Sequence, residues 1–181
     1  LKHIELNNEL MQRGADGFYQ LEKDKEAVVA FMAEVDEKTM KFDSFEEKMQ
    51  YLIDNDFYYN VYEKYTYDQV KAIFDLTADE NFQFQSYMAA SKFYKDYAMK
   101  TNDKKQYLEQ YHERVAIVAL HLGEGDFERA TRIAQAMIEQ RLQPATPTFL
   151  NAGKSRRGEM VSCFLLEMDD SLNSINYVLG T

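Results

Sequence analysis

The sequence predicts a mainly α-helical chain that changes character near its end, where a short buried strand runs into a further helix. Three observations carry this. Apolar residues recur at helical spacing through most of the 181 residues, and neither glycine nor proline interrupts the run between Gly17 and Gly123. Both prolines and the only cysteine instead fall together in the stretch 143–172. Glycine and proline are the strongest punctuators of helices, so their absence over that length argues for consecutive helices up to Leu142.

The elements follow in order. In "DKEAVVAFMAEV", Asp24 reads as a cap and Val28, Phe31, Met32 and Val35 form one apolar stripe. Ser44 with Glu47, Thr66 with Gln69, and Thr77 with Glu80 have capping-box spacing, which marks three helix starts. "SYMAASKFYKDYAMK" offers Met88, Phe93 and Tyr97 as an inner face. From Lys104 to Leu122, the residues Leu108, Tyr111, Val115, Val118, Ala119 and Leu122 recur at helical spacing, with Gly123 as the stop. Asp126 then caps a last helix with Ile133, Ala134, Met137 and Ile138 inward. After Leu142, "PATPT" and "NAG" predict an extended, turn-rich loop. "MVSCFLLEM" suits a buried strand, and "DDSLNSINYVL" a capped helix with Leu172, Ile175, Val178 and Leu179 inward. A single buried strand leaves its backbone groups without partners, so the chain is expected to be a fragment or to pair with another chain.

Composition bounds the function. A net charge of −10 argues against a general binder of nucleic acid or anionic membrane. One cysteine precludes an internal disulfide and favours a reducing, cytoplasmic setting. No apolar run approaches the roughly 20 residues of a membrane span. Thirteen Tyr and twelve Phe with no Trp read as aromatics that pack helices. His3, His112 and His121 have no metal-site spacing. "GKS" at 153–155 is not a phosphate loop, because Thr148 stands where the first glycine is required. Lys154, Arg156 and Arg157 then read as a solvated turn. Taken bare, Cys163 is a small buried hydrophobe, Thr146 a turn residue, Ser162 a strand residue and Asp170 an N-cap.

"PATPTFLNAG", "RRGE", "VSCFLLE" and "DDSLNSI" stand in one order and spacing. In that order they resemble the large, catalytic subunit of class I ribonucleotide reductase. "YAMKTND" and "MIEQRLQPATPTFLNAG" point to its class Ib branch. The resemblance covers essentially the whole chain and is most specific after Gln143. It implies a helical N-terminal region, with a shortened ATP-cone-like domain at 1–90 and an all-α part at 91–159. The segment 160–181 would be the first strand and helix of a ten-stranded α/β barrel, incomplete in this chain.

The implied activity is reduction of ribonucleoside diphosphates by thiyl-radical chemistry. Cys163 matches the first member of the redox pair, Thr146 and Ser162 match substrate contacts, and Asp170, Ser171 and Leu172 match the start of the allosteric specificity site. The resemblance further implies a homodimer, a radical-generating small subunit with a dimetal–tyrosyl centre, and a glutaredoxin-like dithiol reductant. Its effectors are ATP or deoxynucleoside triphosphates. No metal or cofactor is expected on this chain itself, and as a fragment it is expected to be inactive alone. The competing reading is a non-catalytic helical interaction module that keeps a scrap of barrel. A continuation past Thr181 into a "GGG" turn and further cysteines would separate the two.

Overall fold

The computed structural model describes residues 21–155, and these are helical, with only isolated β-bridges and no strand among them. In chain order the helices are α1 (Leu21–Lys38), α2 (Phe45–Asp54), α3 (Tyr67–Asp79), α4 (Tyr87–Lys92), α5 (Tyr111–Gly123), α6 (Phe127–Ile138) and α7 (Thr146–Asn151). A 3-10 turn at Val61–Glu63 precedes α3, and a π-helical turn at Phe93–Tyr97 extends α4. The expected barrel strand and its helix lie outside the described residues.

α5 is the centre. Every residue from Arg114 to Leu120 is buried, because α3 and α6 pack on it and α7 closes over another side. Wholly buried side chains such as Ile117 and Leu120 contribute about 1.5–3 kcal/mol each, the scale on which a buried charge here must be offset. Met49 and Leu52 of α2, Val61 of the 3-10 turn, and Val70 and Ile73 of α3 join this core. A second cluster packs α1 against α4 and is largely aromatic, as the composition predicted. Phe31 meets Tyr87 edge-on at 5.6 Å, and Phe82 stacks on Tyr111 at 4.2 Å.

Local caps form where the spacing placed them. Ser44 accepts from the Glu47 N–H at 3.1 Å, while Glu47 reaches back to the Asp43 N–H rather than to Ser44. Thr66 and Gln69 close a full box, and Asp126 accepts from the Arg129 N–H.

Other expectations are corrected. Asp24 lies inside α1 and does not cap it; its Oδ1 accepts the Tyr87 N–H at 2.9 Å and so caps α4 from a distance. The stripe of α1 is Ala27, Phe31 and Val35, with Val28 and Met32 only half-buried. Thr77 does not start a helix. It sits buried in the last turn of α3, its hydroxyl donating to Phe74 O, and Ser86 is the cap that follows.

Met88 points to solvent, 76% exposed, while Ala90, Phe93 and Tyr94 are buried. It lies five residues before Phe93, roughly 140° around an α-helix, so the two cannot share a face. Leu108 precedes α5 instead of belonging to it, pairing its N–H with Met99 O. Gly123 ends α5, but the left-handed residue is Glu124, at φ 50°. Gly123 is glycine for closeness: a Cβ there would stand 2.6 Å from the Tyr65 hydroxyl and 2.8 Å from Ala130 Cβ. The proline segment is not wholly extended either. Pro147 sits in the first turn of α7, where its fixed φ suits a helix and its missing N–H costs nothing.

Candidate functional site

The segment Asn151–Lys154 leads towards Cys163, and a buried polar network fixes it to α5. Arg114 begins the buried face of α5 and its guanidinium donates through Nη2 to Ala152 O. Its Nη1 lies 3.4 Å from Glu109 Oε1, and both side chains are wholly inaccessible to solvent. Glu109 also accepts the Tyr58 hydroxyl at 2.5 Å and the Met99 N–H at 3.1 Å. Burial, then the neighbouring Glu109 charge, pushes the Tyr58 phenol well above its ordinary value, so it stays protonated and donates. Four separate stretches of chain thus meet at one carboxylate and one guanidinium.

Gly153 completes the joint. It sits at φ +78°, and a Cβ would come within 2.6 Å of Ile117 Cγ1 and 3.2 Å of Ile117 O. Gly153 O accepts the Tyr59 N–H and Phe57 O accepts the Ser155 N–H, which pairs this stretch with residues 57–59. Gly153→Ala is expected to destabilise the fold by about 2–4 kcal/mol, adding a left-handed φ penalty to overpacking. Gly125, at φ +89°, would meet only ordinary contacts, Lys64 O at 3.5 Å and Lys64 Cβ at 3.7 Å, so Gly125→Ala should cost only the backbone term, about 1–2 kcal/mol. Urea unfolding of both variants checks this; equal losses would remove the close approach as the reason for Gly153.

Lys154 is not the solvated turn residue expected. It is half-buried, and desolvation lowers its pKa against the opposing pull of Glu109. Arg156 and Arg157 lie outside the described residues.

Thr146 is the one sequence-predicted site residue within them. It opens α7, is exposed, and its Oγ1 accepts the Tyr97 hydroxyl at 3.3 Å. It edges a groove of about 500 Å³ whose walls are mainly Phe82, Phe84, Phe93, Tyr111 and Phe149. The hydroxyl is thus held at the rim of an aromatic cleft. Ser162, Cys163, Asp170, Ser171 and Leu172 lie outside the described residues, so their mutual placement belongs to the sequence reading alone. Sequence reasoning missed Glu109 and Arg114. The available signal was a charged pair at the mouth of the uniformly apolar run "VAIVAL". No group of three or more potential metal ligands occurs among the described residues. Nor is any described helix long and apolar enough to cross a membrane.

Comparison with known proteins agrees along the chain. The family described as "Ribonucleotide reductase N-terminal" matches residues 3–82, and "Ribonucleotide reductase, all-alpha domain" matches residues 83–157. The chain is 53% identical over 175 residues to "Ribonucleoside-diphosphate reductase NrdEB subunit alpha" of Bacillus subtilis, covering 96% of the chain and 16% of that relative. It is 48% identical over 177 residues to "Ribonucleoside-diphosphate reductase subunit alpha" of the same organism, covering 97% and 25%. The protein so named in Mycoplasma pneumoniae is 41% identical over 160 residues, covering 87% and 22%. The chain therefore spans a quarter or less of the length of these relatives.

Proposed function

Because the chain belongs to the ribonucleotide reductase family, with its N-terminal and all-alpha domains in succession, we propose that it is the N-terminal part of a catalytic subunit that reduces ribonucleoside diphosphates. The observation that carries this is the identity of 48–53% over 96–97% of the chain to two proteins named as alpha subunits of that reductase. The relatives and the segment "YAMKTND" favour the class Ib branch.

On this reading Cys163 is a redox thiol. Reducing C2′ of the ribose takes two electrons; Cys163 and a partner thiol supply them, becoming a disulfide as the 2′ hydroxyl leaves as water. The small subunit, when bound, supplies the radical that starts turnover. Thr146 and Ser162 hold the substrate through hydroxyl hydrogen bonds. The network at Arg114 supports this role by fixing the backbone at Ala152, eleven residues before the thiol. A glutaredoxin-like dithiol then reopens the disulfide.

Asp170, Ser171 and Leu172 take the effector, with Asp170 accepting from the ribose of a deoxynucleoside triphosphate. Asp170→Ala should weaken dTTP binding by roughly 10- to 150-fold, the loss of one charge-assisted hydrogen bond of about 1.5–3 kcal/mol. Base selection should blur while chemistry continues, since specificity is a coupling between two sites. The test is dTTP affinity in the complete polypeptide, with the GDP-to-CDP reduction ratio measured with and without dTTP. An unchanged affinity and ratio would reduce Asp170 to a helix cap. The parent reading itself is tested by CDP reduction with the small subunit and a dithiol, and fails if no dCDP forms.

A further inference from the structure

A second concavity, of about 420 Å³, is walled by residues 55–57, Lys95, residues 98–102, Lys104 and Lys154. Four lysines line it, Lys95, Lys100, Lys104 and Lys154, against one carboxylate, Asp56. In a chain of net charge −10 this reverses the prevailing field.

Lys100 and Lys154 are half-buried in its wall, and Lys95 and Lys104 are exposed at its edge. Lys100 Nζ donates to Lys95 O at 2.9 Å and lies 5.6 Å from the Tyr107 ring centroid. Lys104 stands in a turn closed by its N–H on Thr101 O, and Lys154 follows the pinned Gly153. Lys38, Lys48, Lys71 and Lys92 each hold a carboxylate in an ion pair. None of the four lysines in the concavity does so among the described residues. Burial lowers the pKa of Lys100 and Lys154, and the opposing pulls of Asp96 on Lys100 and Glu109 on Lys154 offset it only in part.

We propose that this concavity binds an oligophosphate anion, either free or as the polyphosphate chain of a nucleotide. Lysine serves phosphate as a point charge without requiring planar geometry, and four such charges around an open concavity suit a compact multivalent anion. The volume falls within the range of small-molecule sites, so an extended acidic peptide fits less well. The proposal does not rest on the reductase reading.

The test is lysine acetylation footprinting of the complete polypeptide by mass spectrometry, with and without sodium tripolyphosphate. Lys100 and Lys154 should be protected by about fivefold or more, and Lys71 on α3 should not. The double variant Lys100→Gln/Lys154→Gln should bind tripolyphosphate at least roughly tenfold more weakly by calorimetry. Protection below about twofold at both lysines, or a double-variant affinity within about twofold of the unchanged protein, overturns the site. A parallel arm uses ATP and reads only Lys100 and Lys154. Protection at lower concentrations of ATP than of tripolyphosphate identifies a nucleotide as the source, and the opposite order a free oligophosphate.

Discussion

Cys163→Ser in the complete polypeptide should abolish multiple-turnover deoxynucleotide formation while leaving substrate affinity close to that of the unchanged protein. The substitution replaces the sulfur by a smaller oxygen and keeps the rest of the side chain, so it is a conservative change of shape. What it removes is redox capacity: a hydroxyl cannot give up an electron to form a disulfide, so C2′ has no two-electron donor. On the proposed reading binding should survive, because the hydroxyls of Thr146 and Ser162 are left in place. The measurement is CDP turnover with the small subunit and a dithiol, beside CDP binding by equilibrium dialysis. Turnover near the wild-type rate would leave Cys163 as a packing residue.

Arg114→Met should produce the largest loss of stability, about 3–5 kcal/mol, because it strands the Glu109 carboxylate in a dry interior. Ala152 O loses its donor at the same time. The cause is distinguishable from lost packing. Glu109→Gln/Arg114→Met removes both charges, so it should be less destabilised than the sum of its single variants. Urea unfolding followed by circular dichroism reads all three. Strict additivity would show that the pair does not act as a unit.

Caps at Ser44, Thr66 and Asp126 were legible because donor and acceptor stand three residues apart, and helix geometry alone brings them together. Asp24 carries the same chemistry but serves Tyr87, 63 residues away, and no local pattern can announce that. Met88 misled because apolar character was read without its phase, and the π turn at Phe93–Tyr97 adds a residue that shifts the phase further along. The prolines were ambiguous in principle, since a fixed φ near −65° suits both an extended loop and a first helical turn. Thr146 was singled out by its motif alone, whereas Glu109 and Arg114 acquire meaning only when Tyr58 and Ala152 reach them. Their partners are chosen by tertiary packing.

The bond from Arg114 to Ala152 also sets a schedule for the nascent chain. Tyr58, Glu109 and Arg114 leave the ribosome before the acceptor at Ala152, which follows Arg114 by 38 residues. At about 5–20 residues per second, that interval lasts roughly 2–8 s. During it the guanidinium has Glu109 beside it but lacks the Ala152 carbonyl, the acceptor of the one guanidinium hydrogen bond in the finished fold, so sealing α5 early would bury a cation with no hydrogen bond. The helices can assemble early, but Arg114 gains its hydrogen-bond acceptor only once residues 151–154 have been made. Synthesis of that short stretch is thereby the step that completes the packing around α5.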